Sequence, residues 1–249
     1  MSKTSWDNVS SSYNKSVGKK GHYFHQHTII PQSLELLKLD SQSTVLDLAC
    51  GQGVLARHLS KNIPYLGLDI SKNLLNIANQ EDRSPIHQYK VQDITKPFDL
   101  NKTFSHIACI LAFQNLALPT EMIRNAALHM TPQSTFLIVL NHPVFRIPRL
   151  TSWGIDPKSK TQFRRIDKYM SSQEIPITAN PSERHSQLTW SYHHSLQDIF
   201  DILRHNNLIV TDLREWVSDK NSVGTAAKME NRSREEFPVF MALVIKKGP

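Results

Sequence analysis

The feature that most constrains this chain is an alternation. Between residues 44 and 140, short apolar runs of strand length alternate with stretches of helical spacing, and the connections are brief. Strands are expected at 44–48, 65–69, 87–91, 104–111 and 134–140. Helices are expected from near Gly53 through Leu59, at 74–79 behind Ser71 as N-cap, and at 120–130. A helix between two strands carries the chain back across the sheet, so successive strands run parallel. The pattern therefore predicts an α/β fold with a doubly wound parallel sheet. The run 134–140 is the most apolar in the chain and reads as a central strand covered on both faces.

The flanks read differently. Residues 1–40 form a polar N-terminal lid or short-helical segment with scattered aromatics, and a helix follows Pro31 with Leu34 and Leu37 inward. Residues 41–249 form the main domain. Within it, 141–195 interrupt the alternation with Pro143, Pro148, Pro157, Pro176 and Pro181, which marks an insertion. Two short strands, near 166–170 and 187–192, are expected there, as a hairpin. Ser195 with Asp198 three residues on makes a capping box, with Asp in place of Glu, for an amphipathic helix carrying Leu196, Ile199, Phe200 and Leu203 inward. Strands at 208–216 and 239–246 close the chain, separated by a polar connection over 217–237.

The 249 residues, 39% hydrophobic and 20% charged, suffice to bury a core and exclude a wholly disordered chain. The opening MSKTSWDNVSSSYNKS lacks an apolar core, so no secretory signal is expected. The richest apolar stretch, 104–118, contains Ser105, His106, Gln114 and Asn115 and does not read as a membrane span. Cys50 and Cys109 have no metal-ligand spacing and read as reduced buried thiols. The expectation is a cytoplasmic protein with no stable membrane insertion and no metal site. The net charge is +7. Residues 144–170 hold seven Lys and Arg against two Asp, a local net of +5, which suits an anionic small molecule, RNA phosphates, acidic lipid or a solvated surface.

Chemistry concentrates around VLDLACGQG at 45–53. The run Gly51-Gln52-Gly53-Val54-Leu55-Ala56 satisfies G-x-G-x-x-G/A, the pattern that cradles a dinucleotide pyrophosphate. Asp47, four residues before Gly51, would place negative charge near that pyrophosphate. It suits a ligand with a cationic amine and no phosphate, such as S-adenosyl-L-methionine. Asp69 at the end of the second strand can accept both ribose hydroxyls of either ligand. Asp93, after the third, can accept from an adenine amine with Ile94 as an apolar wall. All three acids stand at C-terminal strand ends, where open α/β sheets bind ligands.

On these residues the chain resembles class I S-adenosylmethionine-dependent methyltransferases, and most closely the methyltransferase type 11 group that includes the quinone-biosynthesis C-methyltransferases. The carriers are Asp47-Leu48-Ala49-Cys50-Gly51-Gln52-Gly53, Asp69, Asp93, and the fourth-strand segment from His106 to Asn115. The resemblance implies a Rossmann-like, seven-stranded, mostly parallel sheet whose last strand is antiparallel, with helices on both faces. It also implies a cofactor site of Asp47, Ala49, Gly51, Gly53, Asp69, Ile70, Gln92, Asp93, Ile94 and Leu111, with Tyr13 and Tyr23 from the lid covering the cofactor to exclude water. One departure is that many members carry an acid in the fourth motif, where this chain has Gln114 and Asn115.

Methyl transfer needs an aligned nucleophile and sometimes a base. Of the twelve histidines, His142, just past the fifth strand, is the candidate base. Asn115, Arg146, Arg149, Trp153 and Tyr192 are the candidate acceptor contacts, because arginine beside aromatic rings suits a planar anion. Arg164, Arg165, Tyr169 and Trp190 extend the same pattern, and Glu174 and Glu183 are acids with which its arginines could simply pair. The leading expectation is a methyltransferase for a small, anionic or aromatic acceptor. The alternatives are an RNA methyltransferase, a nicotinamide-dependent oxidoreductase, and a non-catalytic S-adenosylmethionine-binding protein.

Overall fold

A computed structural model describes residues 5–178 and 187–249; Pro181 and Glu183 lie outside them. Seven strands form one sheet in the order β3-β2-β1-β4-β5-β11-β10. These are β1 (Val45–Leu48), β2 (Tyr65–Asp69), β3 (His87–Val91), β4 (Phe104–Ile110), β5 (Met130–Asn141), β10 (Leu208–Trp216) and β11 (Phe240–Lys247). The first five pair in parallel, and β11 runs antiparallel to both β5 and β10. The chain builds outward from β1 to β3, then returns to the other side of β1 with β4. That reversal opens a crevice at the C-terminal ends of β1 and β4.

Each strand feeds two cores, because alternate side chains leave opposite faces. On β5, Phe136, Ile138 and Leu140 join one core with Ile107, Cys109, Leu243 and Ile245. Leu137 and Val139 join the other with Ala108, Ala242 and Phe240. The first core is covered by α4 (Thr120–Leu128) and α5 (Leu196–His205), through Met122, Ile123, Ile199 and Leu203. The second is covered by α2 (Ile30–Leu37) and by the single π-turn before it, His25–Ile29. The α5 capping box is complete: the Asp198 amide donates to Ser195 Oγ at 3.1 Å, and the Ser195 amide donates to Asp198 Oδ2 at 3.0 Å.

Several expectations need correcting. The segment after β1 is not a helix but a run of turns ending in a 3₁₀ turn at Ala56–His58. Gly51 and Gly53 both sit at positive φ, and Arg57 bonds back to the carbonyls of Gln52 and Lys19, which pins the segment in place. The strand β5 starts at Met130 instead of 134, with an irregularity in its pairing to β4 between Phe104 and His106. The insertion holds two hairpins, not one. They are β6 (Thr151–Asp156) with β7 (Thr161–Ile166), and β8 (Gln173–Thr178) with β9 (Leu188–His193). Residues 166–170, expected as a strand, are the end of β7 followed by a turn with Lys168 at φ 54°. The β6–β7 hairpin has no buried residue, so its strands carry no clear hydrophobic alternation, whereas β9, close to the strand expected at 187–192, buries Ser191, Tyr192 and His193. The polar connection 217–237 contains α6 (Ala227–Glu236), whose Lys, Glu, Met and Arg favour helix without an apolar stripe.

At the N-terminus, α1 (Trp6–Val17) packs Val9 and Val17 inward. The α3 helix (Lys72–Glu81) begins at the expected cap, where Ser71 Oγ accepts the Leu74 amide at 3.2 Å. Gly53 has φ +74°, and a Cβ there would stand 2.8 Å from Tyr89 Oη. Tyr89 is held by its hydrogen bond to Asp82 at 2.6 Å and has no slack to yield. Gly53→Ala is therefore expected to destabilise the fold by about 1–2 kcal/mol from the left-handed backbone alone, with the contact adding to it. Urea unfolding of the two proteins measures the difference.

Candidate active site

The crevice at the strand ends is a cavity of about 110 Å³. The turn after β1 supplies Ala49 and Gly51, the end of β2 supplies Asp69 and Ile70, and the segment after β3 supplies Gln92, Asp93 and Ile94. The end of β4 supplies Leu111 and Asn115, and α1 closes the top with Trp6 and Tyr13. Ala49 and Leu111 both take positive φ, 59° and 54°, a costly conformation for residues with a Cβ. Such outliers persist where surrounding structure holds them, often at binding sites. Here they turn the backbone sharply at the ends of the two strands that flank the crevice.

Asp69 is buried at the centre of this arrangement. Its Oδ2 accepts the Gly51 amide at 2.8 Å and its Oδ1 accepts the Ser71 amide at 2.8 Å. Burial raises its pKa, and the backbone donors oppose that rise. Asp93 moves the other way. Burial pushes it up, but the Thr95 hydroxyl at 2.6 Å, the Thr95 amide at 3.0 Å and nearby Lys96 outweigh burial and hold it below the usual carboxylate range. The lid is fastened beside Asp69. Asp7 of α1 accepts the Ser71 hydroxyl at 2.6 Å and the Asn73 amide at 3.0 Å, at the start of α3.

Three of the expected cofactor contacts do not line this cavity. Asp47 is 3% exposed, and its Oδ2 accepts the Tyr65 hydroxyl at 2.8 Å. It faces the interior, not a ligand amine. Gly53 acts through its backbone turn against Tyr89. Tyr23 is 38% exposed, donates to Asp219 Oδ2 at 3.1 Å and stacks on His27 at 4.4 Å. The bends at Gly18 and Gly21, both at positive φ, swing it away from the lid face. Trp6 stands in the lid with Tyr13, their rings edge-to-face at 6.1 Å. The spacing of seven residues puts both on one helix face, a signal the sequence carried.

Behind Trp6, Tyr13, Leu111 and Asn115 lies a second chamber of about 260 Å³, whose wall those four residues share with the crevice. Its far side is made by Arg146, Gln114, His22 and His25, with Ile177, Thr178 and Thr189 of the β8–β9 hairpin. Of the expected acceptor contacts, Asn115 and Arg146 are here. Arg149 is exposed on a turn at φ 60°. Trp153, 42% exposed, packs edge-on against Phe237 at 5.3 Å, because the β6–β7 hairpin leans on α6 and not over the crevice. Tyr192 is buried in the wall of a small adjoining cavity, which shares Gln114, Asn141 and Arg146 with the chamber and also has His142 in its lining.

The geometry also corrects the assignment of His142 as base. Its Nδ1 accepts the amides of Val144 and Phe145 at 3.2 Å each, so Nε2 carries the proton and donates to Glu215 Oε1 at 2.7 Å. No lone pair is left to take a proton, and the ring instead braces the turn after β5. Burial lowers its pKa, while Glu215 opposes. Among the described residues no group of His, Cys, Asp and Glu is placed to hold a metal, both cysteines are free, and no helix is long and apolar enough to cross a membrane.

Asp47 makes stability depend on pH. Burial pushes its pKa up to about 7, against the Tyr65 hydrogen bond, with Asp69 adding to the rise. The folded chain thus holds a proton that the unfolded chain releases well below pH 7, so this group's contribution falls as pH rises from about 4 to 7. Asp47→Asn is expected to remove that decline and to gain stability relative to the parent at pH 8 but not at pH 4, as read by urea unfolding at both values.

A family model described as a methyltransferase domain matches residues 22–213. No curated protein matches the sequence. Among solved structures, an S-adenosylmethionine-dependent methyltransferase from Mesorhizobium loti superposes with a TM-score of 0.69 at 19% identity, covering 92% of this chain and 100% of that one. A putative S-adenosylmethionine-dependent methyltransferase from Listeria monocytogenes gives 0.67 at 20% identity, covering 88% and 97%. The glycopeptide N-methyltransferase MtfA complexed with S-adenosyl-L-methionine gives 0.56 at 16% identity, covering 88% and 92%. These structures share the fold, and the family model spans most of the sheet and the crevice: the chain belongs to the methyltransferase-domain family.

Proposed function

We propose that the protein transfers a methyl group from S-adenosyl-L-methionine to a small molecule. The observation that carries this reading is the pair of abutting cavities, one at the strand ends and one beyond it, divided by Tyr13, Leu111 and Asn115. A group-transfer enzyme needs a donor pocket and an acceptor pocket within bond-forming reach.

The donor pocket fits a cationic adenosyl ligand. Among the described residues, two carboxylates, Asp69 and Asp93, and no Lys or Arg line it. A pyrophosphate would meet negative charge with no cation to offset it, which disfavours a nicotinamide cofactor. S-adenosyl-L-methionine supplies a methyl carbon activated by a positively charged sulfur. The chain binds and shields it. Asp69 offers acceptor oxygens for ribose hydroxyls, Asp93 one for an adenine amine, and Ile70 and Ile94 apolar walls for the ring. Trp6 and Tyr13 exclude water from above. Burial drives the Tyr13 hydroxyl up to about pKa 12, with Asp69 adding to it, so Tyr13 remains a neutral donor.

A small acceptor is favoured over RNA by what the basic insertion does. Arg164 donates to the Phe145 carbonyl and to Thr151 Oγ1, and Arg165 pairs with Asp167 at 3.0 Å. Arg164 thus ties the β6–β7 hairpin to the turn after β5, and Arg165 is engaged by a neighbouring acid. The aromatic lining of Trp6, Tyr13 and Phe240 suits a planar acceptor such as the ring of a quinone precursor, the narrower group that the sequence resembles.

Calorimetry tests this function. The protein is expected to bind S-adenosyl-L-methionine and S-adenosylhomocysteine but not NAD; binding of NAD alone overturns it. Asp69→Ala is expected to weaken S-adenosyl-L-methionine binding by about 1–3 kcal/mol. RNA binding that falls steeply with salt would favour a polynucleotide acceptor instead.

A further inference from the structure

The chamber beyond the crevice holds an unusual charge. Arg146 is largely buried, with its guanidinium over the Phe240 ring at 4.7 Å and near the Phe24 ring at 5.8 Å. Its Nη1 is buried with no hydrogen-bond partner, and no ion pair involves it among the described residues. Among the described residues no Asp or Glu lines the chamber. A guanidinium taken from water with neither counter-ion nor full hydrogen bonding is costly, and the two rings offset only part of that cost.

Two further buried atoms without partners belong to residues of the same wall, Gln114 Oε1 and His25 Nδ1. Gln114 is oriented by its amide nitrogen, which donates to the Leu111 carbonyl at 2.8 Å, leaving the oxygen to accept. His25 stays neutral: burial, and then the charges of His22, His58 and Arg57, push its pKa down to about 3. Burial likewise lowers His22. Arg146 is therefore the charged side chain among the described residues lining the chamber, with Arg164 near enough to act on it, and the walls include Trp6, Tyr13 and Phe240.

We propose that this chamber recognises its occupant through a carboxylate paired with Arg146, and that the methyl acceptors of this protein are small aromatic or planar organic acids. The word acceptor rests on the methyl-transfer function above; the anion site rests on the chamber alone. A monoanion matches the single guanidinium. Gln114 Oε1 and His25 stand ready to receive or share hydrogen bonds with a hydroxyl or amine elsewhere on the same molecule.

The probes are benzoate, its neutral counterpart benzamide, the cation benzylammonium and the dianion phenyl phosphate, titrated by NMR into the full chain loaded with S-adenosylhomocysteine. Benzoate is expected to bind at least about tenfold more tightly than benzamide, the ratio of one charge-assisted hydrogen bond, and more tightly than phenyl phosphate, with benzylammonium weakest. Arg146→Met is expected to reduce benzoate to the level of benzamide without changing the affinity for S-adenosylhomocysteine, and Arg146→Lys to keep part of the preference. The wild-type comparison needs no variant, so loss of folding in either substitution leaves the test intact. Equal binding of benzoate and benzamide, absence of benzoate binding, or a preference for phenyl phosphate overturns the proposal. Should S-adenosylhomocysteine fail to bind, the methyl-transfer function falls, while the benzoate preference, measured on the unloaded chain, still decides the anion site.

Discussion

The carboxylate of Asp69 ties distant parts of the chain together. One oxygen holds the Gly51 amide in the turn after β1, and the other holds the Ser71 amide at the start of α3. The Ser71 hydroxyl then donates to Asp7, which fastens α1 over the crevice. Sheet, glycine turn, helix start and lid thus meet around one acid that stands at a strand end beside the reversal in strand order. The strained backbone at Ala49 and Leu111 is held in the same neighbourhood. Structural bonds use one lone pair on each Asp69 oxygen, and each carboxylate oxygen has further capacity to accept.

The two cavities carry opposite electrostatics. Among the described residues, the crevice presents Asp69 and Asp93 without a lining cation, while the chamber presents Arg146 without a lining carboxylate. For the proposed pairing of a cationic donor with an anionic acceptor, each charge matches its own side of the shared wall and mismatches the other. Asp47 contributes to this pattern only indirectly. Locked to Tyr65 behind the turn, and with its pKa raised to about 7 by burial, it is a structural acid more than a ligand contact.

What the sequence shows of all this follows the strength of the local physics. The central parallel strands β1 and β2 were legible because they are buried on both faces, and the α5 capping box because its residues bond only to their own neighbourhood. Asp69, Asp93 and Gly51 were legible as a pattern of strand ends. In the insertion the strand at 187–192 was legible and is β9, but its partner β8 and the whole β6–β7 hairpin were not, since β6 and β7 carry no buried residue and β8 carries only Ile175. Nor was α6, a helix made by propensity without an apolar stripe. The roles of Tyr23 and His142 depended on long-range partners, Asp219 and Glu215, that no local pattern reveals. Trp6 was the opposite case, a residue in phase with Tyr13 whose importance the spacing alone could have shown.

The lid helix has a consequence for both cavities. Trp6 and Tyr13 belong to the wall of both cavities, and Asp7 anchors that helix through three hydrogen bonds to a single helix start. One helix therefore walls both cavities, and any displacement of α1 that opens one to solvent opens the other as well.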